Sequence, residues 1–368
     1  MTETNKMNIS KEELFKRQIT LSEIGEIGQQ KLLKASVLVV GCGGLGSPIA
    51  VQLAAGGIGR IHLVDFDTID VSNLHRQVFY SLDDVGESKS KILSEFIKKR
   101  APFTEVAFTN SAITKMNVFD LIENVDIVVD GTDSLSTKYL LNDACVIKKK
   151  PLIYGSLYKF DGYVSTFNVL QNDGNYSVNL RDAFPKMATD IPNCEEAGTL
   201  NSIVSIIAAQ QVNEVLKLVT GIGKPLTNEL LIYNSLNNSQ LKMKLQNVAS
   251  KSEIEAIFEN ETYFDASCEV QNPNWLISSS ELKHEMSLRA ESRSLEIISV
   301  LENLKTPFKI DKEIPIQQLN VDEFQVDSSK KYVILCQKGI TSYNATKILK
   351  ERFPKANILS LAGGINDY

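Results

Sequence analysis

Four glycines, a pair of aspartates and a pair of cations are the residues here whose types and spacing could do chemistry. Gly41, Gly43, Gly44 and Gly46 stand in VLVVGCGGLG, directly after an apolar run rich in β-branched residues. Such a run reads as a buried parallel strand. The glycines then turn the chain into a helix whose first N–H groups are free to receive a phosphate. Asp65 closes the next apolar strand, Ile61–Val64, 21 residues after Gly44. A carboxylate at that distance is placed to hold a ribose hydroxyl. The amino-terminal part therefore reads as nucleotide-binding. The loop is G-x-G-G-x-G rather than strictly G-x-G-x-x-G, and a nicotinamide oxidoreductase is the first alternative it leaves open.

The residues past Asp65 point away from hydride transfer. Asp67 leads into Val71-Ser72-Asn73-Leu74-His75-Arg76-Gln77, and Lys89 opens a helix in Gly86-Glu87-Ser88-Lys89. Asp133 ends Asp130-Gly131-Thr132-Asp133, which follows the apolar strand Asp126–Val129. Ligands of open α/β sheets bind at the carboxyl edge of the strands, where these residues fall. Two cations and two or three carboxylates around a phosphate turn exceed what hydride transfer requires. They suit attack on a phosphate, with Arg76 and Lys89 offsetting charge on a triphosphate and an aspartate holding Mg²⁺.

The elements that must position these groups alternate strand with helix. Strand Ser36–Val40 precedes a helix around Pro48–Ala55, and strand Ile61–Val64 precedes helix Ser88–Arg100. Strand Val106–Thr109, helix Val118–Glu123, strand Asp126–Val129, helix Thr137–Lys148 and strand Leu152–Tyr154 continue the pattern. The expected fold is α/β, a Rossmann-like doubly wound, mostly parallel sheet. After residue 156 the pattern changes. A β segment at Gly162–Val169, the long apolar helix Ser202–Thr220 and strands at Leu230–Tyr233 and Gln240–Leu245 predict a late antiparallel extension. Gln171–Pro192 is polar and weakly periodic, and reads as a mobile loop.

Residues 1–247 form the expected first domain, 248–278 a linker without strong period, and 279–368 a smaller α/β domain. The latter carries helix Ser280–Ser287, strands Leu295–Val300 and Tyr332–Leu335, helix Thr341–Arg352 and strand Ile358–Leu361. The 368 residues suffice for roughly two to three domains. No apolar run approaches the roughly 20 residues of a membrane span, and the polar N-terminus lacks the apolar centre of a signal peptide. A cytoplasmic protein without a membrane role is expected. The net charge of −6 disfavours nonspecific nucleic-acid binding. Cys42, Cys145, Cys194, Cys268 and Cys336 are odd in number and include no C-x-x-C. They argue against a disulfide framework and a four-cysteine zinc site.

The segments RQITLSEIG, VLVVGCGGLGSP, LVDFDTIDVSNLHRQ, VGESKS, DGTDS and NCEEAGTL, in that order, resemble the MoeB/ThiF family of ubiquitin-like-protein activating enzymes. The resemblance implies MgATP-dependent adenylation of the C-terminal Gly-Gly carboxylate of a small β-grasp sulfur-carrier protein. It implies that Gly41, Gly43, Gly44 and Gly46 line the nucleotide, that Asp65 binds the ribose, and that Asn73, Arg76 and Lys89 contact phosphates. Asp67 and Gln77 are counted into the same site, and Asp133 would coordinate Mg²⁺. Arg17 matches an arginine that reaches across a homodimer into the neighbouring ATP site. Cys194, in Pro192-Asn193-Cys194-Glu195-Glu196, matches a cysteine that in some relatives takes the activated carboxylate as a thioester or joins the carrier through an acyl persulfide, and in others is dispensable. A following helix would lower its thiol pKa and the two glutamates would raise it. Most members carry two C-x-x-C pairs for structural zinc. Here these positions fall near Asn175–Leu180 and at Cys268, so no zinc is expected.

The second domain resembles the rhodanese family. Cys336-Gln337-Lys338-Gly339-Ile340-Thr341-Ser342 fits C-x-x-G-x-R-S with Thr341 for the arginine, and Leu361-Ala362-Gly363-Gly364 fits L-x-G-G. Leu295-Glu296-Ile297-Ile298 replaces L-x-D-V-R. This likeness implies a persulfide at Cys336, loaded by a cysteine desulfurase or thiosulfate and passed on to give a carrier thiocarboxylate for molybdopterin or thiamine synthesis. The alternatives are an activating enzyme for another ubiquitin-like protein or a peptide, a nicotinamide oxidoreductase, and a non-catalytic scaffold.

Overall fold

Alternation of side chains along one strand places the two layers of the larger core. In Ser36–Val40, Val37 and Val39 enter one apolar cluster with Ile49, Leu53, Leu93 and Ile207, while Leu38 and Val40 enter another with Ile122, Val128 and Leu141. A strand buried on both faces needs helices on both sides, and its β-branched composition suits that position. The computed structural model describes residues 9–187, 198–261, 263, 272–288, 295–321, 324–337 and 339–368. The chain divides into two compact units, Met1–Phe264 and Asp265–Tyr368.

The first unit opens with α1 (Lys11–Leu14), α2 (Lys16–Ile19) and α3 (Gly25–Lys34). Then come β1 (Ser36–Val40), α4 (Gly46–Ala55), β2 (Arg60–Val64), α5 (Lys89–Arg100), β3 (Glu105–Thr109), α6 (Val118–Glu123), β4 (Ile127–Asp130) and α7 (Leu135–Lys148). It closes with β5 (Leu152–Tyr158), β6 (Asp161–Phe167), α8 (Leu180–Ala183), α9 (Asn201–Thr220), β7 (Glu229–Asn234), β8 (Ser239–Lys244) and α10 (Lys251–Asn260). The sheet order is β3-β2-β1-β4-β5-β6-β7-β8. Pairings from β3 to β5 are parallel and those from β5 to β8 antiparallel. Strand order reverses between β1 and β4, the point at which open sheets leave a crevice at their carboxyl edge. The expected doubly wound sheet with its antiparallel extension is present.

α9 has the length and apolarity of a membrane span. Its residues Ile203, Val204, Ile207, Ala208 and Val215 are buried in the same cluster as Val37 and Ile49. It is a core helix on that face of the sheet, beside α4 and α5.

Two sequence-based expectations are corrected. The stretch read as a linker holds α10, whose Ser250 hydroxyl accepts the Glu253 N–H while Glu253 accepts the Ser250 N–H. Ile254 and Phe258 are its buried residues, one turn apart, and Phe258 stacks with Phe119 and Tyr263. So brief an apolar stripe gives little periodicity. The stretch read as a mobile loop is packed at its centre, where residues 177–181 are buried, while residues 172–175 and 184–186 are exposed. Arg181 forks onto Asp143 of α7 (2.8 Å from Nε to Oδ1, 2.6 Å from Nη2 to Oδ2), and the Tyr263 hydroxyl donates to Asp143 Oδ2 at 2.5 Å. One fully buried carboxylate thus ties together α7, α8 and the chain after α10. Burial and the Asp143 charge push the Tyr263 phenol well above its ordinary value.

The second unit comprises β9 (Leu276–Ile277), α11 (Ser279–Leu288), β10 (Leu295–Ser299), β11 (Lys312–Glu313), β12 (Lys331–Leu335), α12 (Ile340–Arg352) and β13 (Asn357–Leu361). Its sheet runs β11-β10-β12-β13-β9, every pairing parallel. Leu295, Ile297 and Val333 face one apolar cluster, Ile298 and Ile334 the other. Glu296 is held by Lys312 at 2.7 Å and Lys330 at 2.9 Å.

Candidate nucleotide site

The glycine loop turns where β1 ends, and its shape depends on absent side chains. Gly41 has φ +84°, and a Cβ there would fall 2.8 Å from the backbone of Gly131 at the end of β4. A Cβ on Gly46 would lie 1.6 Å from the Gly41 carbonyl oxygen. Only glycine lets the start of α4 rest on the loop this closely. Gly43 and Gly44 line the other side: a Cβ would sit 3.4 Å from Gln77 Nε2 at the first and 3.7 Å from Arg76 Cγ at the second.

Asp65, buried at the end of β2, is fixed by two backbone donors. Its Oδ2 accepts the Cys42 N–H at 2.5 Å and its Oδ1 the Asp67 N–H at 2.8 Å. Burial pushes its carboxyl up, against those two hydrogen bonds and the Lys89 charge. Lys89, at the start of α5, meets Asp67 Oδ2 at 2.8 Å, with the lysine nearly buried and the aspartate half exposed. Tyr80 ties the loop to this helix by donating to the Cys42 carbonyl at 2.7 Å and approaching the Lys89 carbonyl at 3.3 Å. Asn73 is buried at the end of a 3-10 turn capped by Asp70. Arg76 donates to the Ser72 carbonyl at 3.3 Å.

The structure therefore gathers Gly41, Gly43, Gly44, Gly46, Asp65, Asp67, Asn73, Arg76, Gln77 and Lys89 at one strand edge. Gln77 Oε1 and, at the start of α4, Ser47 Oγ are buried without a hydrogen-bond partner. Unmet polar atoms beside a cradle too tight for side chains fit a nucleotide with its phosphates at the helix N-terminus. The turn after β4 abuts the loop. There Asp130 Oδ1 accepts the Thr132 N–H and hydroxyl, at 3.0 and 2.8 Å, and Asp133 is exposed just beyond.

Arg17 is not among them. It is exposed on α2, whose next residue, Gln18, donates to the Gly56 carbonyl at 2.9 Å, where α4 ends. A ten-residue helix, about 15 Å long, separates that point from the glycine loop. Cys194 lies outside the described residues. Cys42 and Cys145 are buried, and desolvation pushes both thiols up. Cys336 is buried at the end of β12, with the Ser342 N–H 3.3 Å from its sulfur.

Sequence reading missed four supporting residues. Lys138 of α7 pairs with Asp130 at 3.0 Å, both nearly inaccessible, and also donates to the Gly155 carbonyl at 2.7 Å. Gln211 of α9 donates to the Asp130 carbonyl at 2.8 Å. Val204 backs Gly44, and Tyr80 is the staple just described. Lys138 and Gln211 left a signal, a polar residue at a core position of an apolar helix.

The stretch Asn175–Leu180, which has no cysteine, is committed to other bonds. Ser177 Oγ accepts the Val169 N–H at 2.9 Å, and Asn179 caps α8. Among the described residues no group of three or more His, Cys, Asp or Glu could hold a metal. Elemental analysis of the purified chain is expected to find no stoichiometric zinc; one tightly held zinc per chain would overturn this.

A family model described as ThiF family matches residues 15–254, which include the whole cradle. The chain is 33% identical over 371 residues to a probable adenylyltransferase/sulfurtransferase, MoeZ, of Mycobacterium tuberculosis, covering 97% of this chain and 93% of that protein. It is 39% identical over 244 residues to a sulfur carrier protein adenylyltransferase of Thermus thermophilus, covering 65% of this chain and 90% of the relative. Among solved structures, Escherichia coli MccB with MccA-N7isoASN resembles it in fold, with TM-score 0.56 and 23% identity over 66% of this chain and 74% of that one. The loop, the acidic strand end and the basic residues beyond it all fall inside the matched span, and the chain belongs to the ThiF family.

Proposed function

We propose that this chain adenylates the C-terminal carboxylate of a small sulfur-carrier protein with MgATP and then passes sulfur to it from Cys336. The observation that carries this reading is the glycine cradle with Asp65, Arg76 and Lys89 at one edge of the sheet. It stands in a chain matched along nearly its whole length by a relative named for both activities.

A carboxylate is a poor acyl donor because it has no good leaving group. Its oxygen attacks the α-phosphorus of ATP, the bond to the bridging oxygen breaks, and pyrophosphate leaves. The nucleophile is already ionised, so no general base is needed. The chain has to orient the reactants and offset charge. Asp65 holds the ribose, the glycine loop and α4 receive phosphate, and Arg76, Lys89 and Asn73 contact phosphate oxygens. Asp133 would hold Mg²⁺, which when bound neutralises charge on the polyphosphate. Arg17, remote from the cradle of its own chain, serves the site of a second copy in a homodimer.

The terminal sulfur of a Cys336 persulfide attacks the acyl carbon and AMP leaves, giving an acyl disulfide. A second thiol then attacks Cys336 Sγ, the thiocarboxylate departs, and an external thiol reduces the remaining disulfide. Cys194 is our candidate for that second thiol. A cysteine desulfurase persulfide or thiosulfate loads Cys336. The product suits molybdopterin or thiamine synthesis.

The test mixes the full chain with candidate carriers and MgATP and reads masses. A carrier–AMP adduct is expected, and with thiosulfate or a persulfide donor a thiocarboxylate. Cys336→Ser is expected to keep the adduct and lose the thiocarboxylate. Unchanged thiocarboxylate in Cys194→Ser would remove Cys194 from the mechanism. No pyrophosphate exchange with any carrier would sink the proposal.

A further inference from the structure

The sulfur of Cys336 has a second layer of support that reaches into the neighbouring strand. Ser342 lies in the first turn of α12, where backbone N–H groups have no acceptor within the helix. Its N–H points at Cys336 Sγ from 3.3 Å, and its hydroxyl oxygen lies 3.2 Å from the same sulfur. That second contact could run in either direction. Ser360, on β13, decides it: its hydroxyl donates to Ser342 Oγ at 2.9 Å. With its oxygen accepting from Ser360, Ser342 has its own hydrogen free for the sulfur. Ser342 and Ser360 are fully buried and Cys336 is 1% exposed. Hydrogen bonds to an ionised acceptor in so dry a place are the strong ones.

We propose that Ser360 is a positioning residue for Cys336, turning the Ser342 hydroxyl so that it donates to the sulfur and favours its ionised form. This rests on the reading that Cys336 carries sulfur. In that step the ionised Cys336 sulfur attacks the terminal sulfur of a donor persulfide. A new S–S bond forms, the donor's S–S bond breaks, and the donor thiolate leaves and takes up the proton Cys336 gave to solvent. Nothing is oxidised overall. Ser360 touches neither the donor nor the sulfur; it acts through Ser342.

The test follows alkylation of the Cys336 peptide in the full chain by mass spectrometry across pH. Ser360→Ala is expected to raise the half-maximal pH by about half a unit, a rate loss of about threefold at neutral pH. Ser342→Ala is expected to raise it at least as far. The double variant should match Ser342→Ala alone, because Ser360 acts only through Ser342; a merely structural role would add. Ser360→Thr keeps the hydroxyl and should restore the wild-type profile, even if Ser360→Ala folds poorly. A Ser360→Ala profile that superimposes on wild type, or additive shifts in the double variant, overturns the relay. Sulfur loading from a persulfide donor is measured in parallel. A shifted profile on a chain that never loads sulfur leaves the relay standing and sinks the sulfur-transfer reading instead.

Discussion

Arg76→Ala is expected to lower carrier-dependent ATP–pyrophosphate exchange by about 10²- to 10³-fold, the usual cost of losing one donor aimed at developing charge. The expectation is sharp because this guanidinium does little else. Among the described residues its one bond goes to the Ser72 carbonyl at 3.3 Å, and the side chain is half-buried beside Gly44. Thermal stability should therefore stay within about 0.5 kcal/mol, as for surface substitutions elsewhere. Lys89 makes a poorer probe, since removing it also strips Asp67 of its ion pair. Arg76→Lys should recover only part of the rate, because a point charge does not reproduce a planar fork. Exchange within tenfold of wild type in Arg76→Ala would remove this residue from the phosphate contacts.

Lys138→Met should destabilise the first unit by about 3–5 kcal/mol, the cost of leaving one member of a buried ion pair without its partner. Asp130 is fully inaccessible and keeps only its own turn's donors, the Thr132 N–H and hydroxyl. The same lysine also bonds the Gly155 carbonyl, so its loss frees two groups on adjacent strands. Urea denaturation reads the effect as a lower midpoint. Replacing both partners, Lys138→Met with Asp130→Asn, should recover part of the loss, since no buried charge remains. A single-variant cost under about 1 kcal/mol would show that water or a rearrangement satisfies Asp130.

What the sequence revealed and what it hid separate by the range of the interactions. β1, the glycine turn and Asp65 were legible because a β-branched run, a tight turn and a fixed spacing are written in consecutive residues. Lys89 and Asp67 were legible as strand-end charges, although their mutual pairing was not. The Asp130–Lys138 and Tyr80–Cys42 contacts depend on elements meeting in space. The stretch Gln171–Pro192 looked mobile because it is only weakly periodic. Its buried centre is ordered by side-chain bonds such as Arg181 to Asp143, and those leave no mark on hydropathy. α10 looked like linker for a related reason, since two buried residues one turn apart are too few to count. Arg17 was legible only through its motif, which already implied a role outside the cradle of its own chain.

Gly41, Gly46 and Gly131 press directly on one another: a methyl group on any of them would strike the backbone of another. The three therefore form one packing unit. A larger residue at one position cannot be accommodated by drift at the other two, because each neighbour is already as small as an amino acid can be. Room for substitution therefore lies away from the junction of β1, β4 and α4, where nothing larger than a hydrogen fits.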